Sequence, residues 1–417
     1  MSSFSYALDP FIKVKVLSRY SLDHVEVKSL MGRLRVYEKG GKIQEALWPP
    51  QLPLSLKVSD KSLELKLGDQ KRIVEGVILD PPVGNFVTLK VGADLEKRFA
   101  GRLQIRNSKG ALSFIEEIPL EEYVRGVLES EIPYGFPLEA LKAQAVLIRT
   151  FALAHLDRHA KEGFSLCDLT HCQVYGGRNQ NYRILEQAVK QTKSLILAYQ
   201  FKPVEAVYHS TCGGHTSAFH QVFGGKEIPY LMGVSDQMTL TPKNPIVQNS
   251  SKDPPINQTS DKRHSTESKK FTEAKIESYC KNSPHSIWEN RISLHEMSEI
   301  LKKTEMNPKG EIQNMRISEQ EPQQGRAFAL SIEGKRHFEV RINQWMSAIG
   351  RVLGWSRIKS NWFEVKIENG EAVFRGHGLG HGVGLCQWGA RGMAEAGKKF
   401  DEILFHYFPG TNLIEKE

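Results

Sequence analysis

Short stretches in which apolar and polar residues alternate dominate the chain from residue 12 to about residue 112. Clear examples lie at 12–16, 63–67 and 86–91, and glycine, proline and aspartate residues separate them. A period of two between turn residues is typical of half-buried β-strands, because successive side chains point to opposite faces of a sheet. We therefore predict a β-rich N-terminal region.

From residue 120 to residue 155 the apolar positions recur at helical spacing. Prolines interrupt the pattern at 133–137, and Pro137 suits the first turn of a second helix. Residues 242–270 are polar, rich in proline and serine, and nearly free of large apolar side chains, so we predict a disordered insertion there.

After the insertion, the pattern predicts a helix at 294–302 opened by Ser293 and strands at 327–332 and 338–342. Together these patterns predict an α+β fold. Its predicted parts are a β-rich N-terminal region (1–112), a helical segment (113–240), the disordered insertion (241–275) and a mixed α/β C-terminal region (276–417).

Glu131 ends the first predicted helix. One face of that helix carries Leu120, Val124, Val127 and Glu131, because eleven residues at about 100° each return to within about 20°. A carboxyl group on an apolar face has a raised pKa or needs a partner, and a raised pKa suits a general acid. Glu122 and Glu129 are predicted on the opposite, solvated side. Periodicity alone leaves open that Glu131 sits in the turn before Pro133.

Two cations, Lys142 and Arg149, share a face of the second predicted helix about 10 Å apart. Such a pair could bind a polyanion. On spacing alone, two ordinary surface cations are the better interpretation.

Three further motifs are candidates for ligand contact. Residues 209–215 read HSTCGGH, and their Gly-Gly step favours close backbone approach to a ligand over a nucleophile, with Cys212 a small packed residue. From 376 to 384 every second residue is glycine, which predicts an extended segment rather than a metal-binding helix. Gln387 and Trp388 then begin a short helix.

A metal site is predicted where Cys167, His171 and Cys172 offer three ligands and His159 could complete a tetrahedral set. The spacing is not that of a standard zinc finger. A disulfide between Cys167 and Cys172, or two packed thiols, remain open as alternatives.

The composition narrows the class of protein. The net charge is +8, with charged residues at 25% interspersed in sign, which indicates a solvated surface in an anionic environment rather than a nucleic-acid-binding face. No run of about 18 apolar residues occurs, so no transmembrane span is predicted. The N-terminal MSSFSYALDPF lacks the basic and apolar regions of an export signal.

Five motifs occur in a fixed order between about residues 98 and 411. They are PLEEYVRGVLESEIPYGFPLEALKAQAVLIRTFAL, CDLTHCQVYGG, YHSTCGGHTS, GHGLGHGVGLCQWGARGMAEAG and HYFPGT. In order and spacing they resemble the stage II sporulation protein D family of peptidoglycan lytic transglycosylases. The resemblance implies an envelope enzyme that cuts glycan strands stripped of stem peptides and leaves 1,6-anhydro-muramyl ends.

Carried onto this sequence, the resemblance implies that Glu131 is the general acid and base, within a catalytic domain formed by 113–240 and 276–417. It implies that Lys142 and Arg149 are the helix cations, and we expect them to recognise the lactyl carboxylate that only stripped strands expose. Some members of the family have Cys/His zinc ligands, which favours a structural zinc. The substrate-lining residues that we predict are Ser210, Gly213, Gly214, His377, His381 and Gln387.

Two other functions remain open at this stage. Proteins that resemble this family have been named amidase enhancers, so the chain could activate a cell-wall amidase without cutting glycan itself. The β-rich N-terminal region would equally suit a glycan-binding scaffold. The expected partners are therefore peptidoglycan strands and a cell-wall amidase, and the expected location is the periplasm or another extracytoplasmic part of the envelope.

Overall fold

A computed structural model describes residues 10–29, 32–38, 42–48, 52–92, 95–178, 182–237, 277–321 and 325–416. The predicted insertion at 241–275 lies outside these residues, and its disorder stays a prediction.

The predicted β-rich region is confirmed, but its last strand runs to residue 119, past the boundary predicted at residue 112. Its strands are β1 (Phe11–Val16), β2 (His24–Ser29), β3 (Gly32–Tyr37), β4 (Ile43–Trp48), β5 (Leu54–Ser59), β6 (Ser62–Leu67), β7 (Gln70–Val74), β8 (Gly76–Asp80), β9 (Val87–Val91), β10 (Leu95–Phe99), β11 (Arg102–Ser108) and β12 (Ala111–Pro119). β12 shows why the alternation works: every second side chain from Leu112 to Ile118 is buried.

Eight helices and further strands follow in the rest of the described chain, so the fold is α+β, as predicted. The helices are α1 (Leu120–Glu131), α2 (Leu138–Ala154), α3 (Arg183–Gln191), α4 (Phe219–Phe223), α5 (Leu294–Lys302), α6 (Ile342–Leu353), α7 (Gln387–Glu395) and α8 (Phe400–Tyr407). The later strands are β13 (Leu166–Cys167), β14 (Leu195–Tyr199), β15 (Lys202–Pro203), β16 (Tyr208–His209), β17 (Trp288–Ser293), β18 (Asn314–Gln320), β19 (Ala327–Glu333), β20 (His337–Arg341), β21 (Phe363–Glu368), β22 (Glu371–Gly376), β23 (Leu385–Cys386) and β24 (Asn412–Glu415).

The N-terminal strands form two sheets that share one hydrophobic core with the helices. The first sheet has the order β13-β1-β12-β11-β8-β3-β4 and the second the order β10-β9-β2-β5-β6-β7. Their buried side chains belong to the same cluster as those of α1, α2, α7 and α8. The first sheet therefore continues directly into the helices that carry the candidate site.

Local sequence explains where the principal helices begin and end. α1 starts directly after Pro119 and stops at Glu131, two residues before Pro133, and α2 starts directly after Pro137. The predicted cap of α5 is confirmed, because the Ser293 hydroxyl accepts a hydrogen bond of 3.1 Å from the backbone N–H of Glu296.

Residues 288–374 build a second hydrophobic core around Trp345, Phe363 and Phe374. Further along, the chain returns to the first core, to which Val383 and Phe408 belong. The region predicted as one C-terminal part, 276–417, thus contributes to two cores. Among the described residues, every helix is too short or too polar to cross a lipid bilayer.

A buried carboxyl group lies inside the first core. Glu116 of β12 is fully buried, and its oxygens accept hydrogen bonds from the backbone N–H of Gly101 (2.7 Å) and the hydroxyl of Tyr175 (2.8 Å). Burial raises the pKa of Glu116 to about 7, against the effect of these two hydrogen bonds.

This shift predicts a pH-dependent stability that Glu116→Gln should remove. Between the ordinary pKa of 4.5 and about 7, the folded protein binds more protons at this site than the unfolded chain. The free energy of unfolding should therefore fall as the pH rises through this window. Relative to the variant, the wild type should lose about 3 kcal/mol between pH 4 and pH 8, from about 1.4 kcal/mol per pKa unit. Urea denaturation of both proteins measures this loss, and parallel pH profiles would contradict it.

Candidate functional site

Glu131 lies at the end of α1, with its carboxyl group turned inward. One oxygen, Oε1, accepts hydrogen bonds from the backbone N–H of Val174 at 2.8 Å and from the Tyr208 hydroxyl at 3.4 Å. Burial raises the pKa of Glu131, while both hydrogen bonds and the charge of Arg19 act in the opposite direction. A carboxyl group in this setting can hold its proton closer to neutral pH than an exposed one.

A chain of polar side chains holds the Tyr208 hydroxyl beside Glu131. The amide nitrogen of Gln173 donates to the Tyr208 hydroxyl at 3.2 Å, and the Tyr123 hydroxyl donates to the amide oxygen of Gln173 at 3.1 Å. Burial raises the pKa of Tyr208 well above its usual value, and the nearby Glu131 raises it further. Tyr208 therefore keeps its proton and acts as a hydrogen-bond donor to the glutamate.

The sequence did not identify Tyr123, Gln173 or Tyr208 as site residues. The available signal was their position, because Gln173 directly follows the predicted metal ligands and Tyr208 directly precedes the HST motif. The contacts that bring Gln173 and Tyr208 to α1 join residues far apart in the chain, which a local pattern cannot specify.

Ser210 and Gln387 lie next to Tyr208 because two very short strands pair. β16 runs parallel to β23, with Tyr208 opposite Leu385. The backbone N–H of Trp388 then donates to the carbonyl of Ser210 at 3.0 Å. Two of the predicted substrate-lining residues are in this way brought beside the tyrosine that contacts Glu131.

The predicted glycine-rich segments are tight loops. Residues 377–384 are not helical, as predicted, but Gly378, Gly380, Gly382 and Gly384 all have positive φ, so the predicted extended segment is a loop with isolated β-bridges. Gly213 and Gly214 also have positive φ, and a Cβ on Gly213 would lie 2.9 Å from the Trp362 ring and 3.0 Å from Cβ of His377. Glycine is required here by close packing inside the protein.

The two predicted histidines lie at different places in this loop. Nδ1 of His377 is 3.1 Å from the Ser286 carbonyl, and its ring packs on Trp362. The ring of His381 packs against His209 and Phe223, and burial lowers the pKa of His381 to about 4. His381 is therefore neutral near pH 7.

The predicted pair of substrate-binding cations is corrected by the structure. Arg149 is only 1% exposed, and its guanidinium donates to both oxygens of Glu121 (2.7 and 2.6 Å) and to the Leu195 carbonyl (2.9 Å). Lys142 donates to Glu139 at 3.0 Å, and its ammonium lies 4.4 Å from the ring centre of Phe400. Arg149 thus joins α2 to α1 and to β14 and has no face to offer a substrate.

The predicted exposure of Glu129 is also wrong. Its side chain is only 7% exposed and forms an ion pair of 2.8 Å with Arg125, one turn earlier on α1. Glu122 is 45% exposed, as predicted for the solvated side, and it pairs with Arg178. Helical phase placed Glu129 away from the core stripe but could not detect the arginine that covers it.

A cavity of about 530 Å³ lies away from these residues, next to the first sheet. Its charged lining residues are Arg98, Arg102, Arg178, Asp80, Glu117, Glu122 and Glu186. Several of these pair with one another, for example Arg102 with Glu117 at 3.1 Å. None of the predicted site residues lines this cavity, so the candidate site is the one around Glu131.

The predicted metal ligands His159, Cys167, His171 and Cys172 come together, with their ligand atoms all within 4.8 Å of one another. Nε2 of His171 lies 3.2 Å from both Nε2 of His159 and Sγ of Cys167, and Sγ of Cys172 lies 3.5 Å from Nε2 of His159. Metal–ligand distances of about 2.0 Å to nitrogen and 2.3 Å to sulfur give tetrahedral edges of about 3.3 to 3.8 Å.

The two cysteines of this cluster are both free thiols. The four residues can therefore hold a metal ion. Cys172 immediately precedes Gln173 and Val174, the segment that contacts Glu131 and Tyr208. A metal ion in this cluster would consequently fix the backbone that binds the glutamate.

Two family models match the chain over residues that include most of the candidate site. Residues 108–199 match the family model "Stage II sporulation protein", and residues 217–384 match a domain of unknown function, DUF8618. An uncharacterized protein of Brachyspira hyodysenteriae is 29% identical over 359 residues, covering 86% of this chain and 82% of its own length.

Named relatives occur in two Bacillus species. The stage II sporulation protein D of Bacillus amyloliquefaciens is 29% identical over 318 residues, covering 73% of this chain and 76% of that protein. The amidase enhancer of Bacillus subtilis is 29% identical over 304 residues, covering 70% of this chain and only 40% of that protein. The chain thus spans less than half of the amidase enhancer.

Proposed function

Because this chain belongs to the stage II sporulation protein D family, we propose that it is a lytic transglycosylase that cleaves peptidoglycan strands stripped of stem peptides. The observation that carries the proposal is the environment of Glu131, a largely buried carboxyl group with a raised pKa between two hydrogen-bond donors. We propose a location in the cell envelope, because that is where such a substrate is found.

In the proposed reaction, Glu131 acts first as an acid and then as a base. Its proton passes to the glycosidic oxygen as the bond to the anomeric carbon breaks. The resulting carboxylate then takes the proton of the C6 hydroxyl of the same sugar, whose oxygen attacks the anomeric carbon and closes the 1,6-anhydro ring. Atoms and charge balance without water. Tyr208 and the N–H of Val174 hold one oxygen of Glu131, which leaves the other for the substrate.

The glycan would lie along the loops beside Tyr208. Ser210 adjoins this tyrosine, and the partly exposed His377 and His381 lie on the neighbouring glycine-rich loop in the proposal. Gly213, Gly214 and Gln387 are buried, so they offer no surface to a glycan. Nδ1 of the neutral His381 accepts a hydrogen bond of 3.1 Å from the backbone N–H of Val383, so this histidine holds the loop in shape.

Arg19 takes over the role predicted for the two helix cations. It is exposed, and its charge acts on Glu131, whereas Arg149 is enclosed. We expect it to attract the free lactyl carboxylate of stripped strands. Arg19→Gln should therefore weaken binding to stripped strands more than binding to peptide-bearing strands, measured by co-sedimentation. Equal weakening of both would contradict this role.

The decisive experiment is to incubate the purified protein with stripped glycan strands and to determine the masses of the products by mass spectrometry. Release of 1,6-anhydro-muramyl ends supports the proposal. Reducing ends would mean that water is the nucleophile, and a second carboxylate would then be needed. Intact strands, together with faster hydrolysis by an added cell-wall amidase, would favour the activator function suggested by the name of the Bacillus subtilis relative.

We further propose that His159, Cys167, His171 and Cys172 hold a structural zinc ion. Two nitrogen and two sulfur donors at tetrahedral edge lengths suit zinc, and four protein ligands leave no position for substrate. Bound zinc would supply rigidity to the segment that leads to Val174.

Cys172→Ser tests this second proposal. Elemental analysis should find one zinc ion fewer per chain in the variant than in the wild type. Release of 1,6-anhydro ends should also fall, by about 10-fold or more, because Val174 and Gln173 lose their support. Ser165→Ala, a nearby substitution outside the ligand set, is the control. The same zinc content per chain in the wild type and in Cys172→Ser would contradict the proposal.

A further inference from the structure

A second cluster of metal-ligand residues lies inside the first core, apart from the four residues described above. Cys212, Asp236, Cys280 and Cys386 come from four distant points of the chain, and their ligand atoms all lie within 4.8 Å of one another. They are 0%, 0%, 1% and 0% exposed. Packing alone explains one buried cysteine, as we predicted for Cys212, but it does not explain three thiols gathered around a carboxylate.

The spacing of the sulfur atoms suits a bound metal ion. Sγ of Cys212 lies 3.7 Å from Sγ of Cys280. A tetrahedral site with zinc–sulfur bonds of about 2.3 Å has sulfur–sulfur edges of about 3.8 Å. A disulfide would need about 2.05 Å, and all three cysteines are free thiols.

The backbone around the sulfur atoms is arranged to stabilise negative charge. The N–H of Gly214 donates to Sγ of Cys212 at 3.3 Å. The N–H groups of Cys212 and Gly389 donate to Sγ of Cys386, each at 3.2 Å. Such donors stabilise thiolates, which are the form of cysteine that binds metal.

Hydrogen-bond donors surround Asp236, and a buried arginine lies close to the cluster. Asp236 accepts hydrogen bonds from the Tyr407 hydroxyl and from the backbone N–H of Cys280. Arg326 is 1% exposed and donates to the carbonyls of Cys212 and His215 and to the side chain of Asn361. Three thiolates and one carboxylate around a divalent ion carry a net charge of −2, which a buried guanidinium partly compensates.

From this geometry we propose that Cys212, Asp236, Cys280 and Cys386 form a second structural zinc site, independent of the cluster at His159. The ion would tie the 212–214 loop to the start of α7. It would also join Asp236 and Cys280, which lie on either side of residues 238–276. Cys386 belongs to β23, and β23 pairs with β16, which carries Tyr208. The ion would therefore help to fix the backbone position of Tyr208.

Elemental analysis of the full chain, purified under reducing conditions with zinc present, tests the proposal. The wild type should contain two zinc ions per chain. Cys386→Ser and Asp236→Asn should each remove one, Cys172→Ser should remove the other, and the double variant Cys172→Ser/Cys386→Ser should contain none. Asp23→Asn, an exposed aspartate, is the control and should retain both ions.

A measurement on the wild type covers the case in which the variants do not fold. Replacement of zinc by cobalt should give a near-ultraviolet charge-transfer absorption that corresponds to five thiolates per chain, whereas the first cluster alone supplies two. Alkylation in denaturant without reductant should label all five cysteines. A disulfide between any two of Cys212, Cys280 and Cys386, or an absorption for only two thiolates, would overturn the proposal. No glycan substrate enters these measurements, so they are independent of the proposed enzyme activity.

Discussion

Replacing Glu131 with glutamine should lower the release of 1,6-anhydro-muramyl ends at least about 100-fold, the lower scale of general acid–base catalysis. The amide is nearly the same size and can still accept hydrogen bonds from Val174 and Tyr208 through its oxygen. It has no proton to give to the glycosidic oxygen and cannot take one from the C6 hydroxyl. Folding should survive, because an amide costs less to bury than a carboxylate.

The choice of control follows from the structure. Glu129→Gln, which helical phase alone would favour, breaks a nearly buried ion pair with Arg125 and would confuse stability with chemistry. Glu299→Gln on α5 is a better control. This helical glutamate is 48% exposed, and its helix packs into the second hydrophobic core, not the core that α1 packs into. The substitution should leave turnover unchanged. If Glu131→Gln keeps the wild-type circular dichroism spectrum and the wild-type rate of product release, the catalytic assignment is wrong.

Arg149→Ala should destabilise the protein by about 3 to 5 kcal/mol, the usual cost of removing one partner of a buried ion pair. The substitution leaves the Glu121 carboxylate, which is 15% exposed, and the Leu195 carbonyl without the donors that now satisfy them. It also opens a cavity between α2 and its neighbours. Urea denaturation followed by circular dichroism measures the change in the free energy of unfolding.

Two companion variants separate the structural role of Arg149 from substrate binding. Lys142→Ala removes a partly buried pair on the same helix and should cost less than Arg149→Ala, because both members keep some contact with water. Arg149→Met combined with Glu121→Leu should recover much of the stability lost in Arg149→Ala, because neither charge is then left alone. A stable Arg149→Ala protein with weakened glycan binding would restore the role first predicted from sequence.

Period and turn residues predicted the elements well, because they are set by local chemistry. The strand alternation of β1 and β6, the proline break between α1 and α2 and the serine cap of α5 were all predicted correctly, whereas β12 runs to residue 119, into the part predicted as helical. Phase put Glu131 on the apolar face but left open a position in the turn before Pro133, and the structure has it as the last residue of α1. In each case the deciding residues lie within one or two turns of one another.

The errors concern partners that are distant in the chain or enclosed by other elements. Phase put Arg149 on a face with Lys142, but Glu121 and the Leu195 carbonyl cover it, and neither belongs to α2. The second core at 288–374 was not separated from its surroundings, because composition does not change at its borders. The cluster of three thiols was not predicted either, because its members lie up to 174 residues apart in the chain.

The pairing of β16 with β23 also has a consequence for when the chain acquires its chemistry. Tyr208 reaches its place opposite Leu385 only after the C-terminal segment has come back to the first core. A ribosome makes the chain from the N-terminus, so the sheets and α1 can form while this segment is still missing. The contact that positions Tyr208 beside Glu131 closes late, because it joins residues of very large sequence separation. A nascent or prematurely terminated chain therefore presents Glu131 without Tyr208 in its final place, and the proposed cleavage of glycan would require a chain that extends at least through β23.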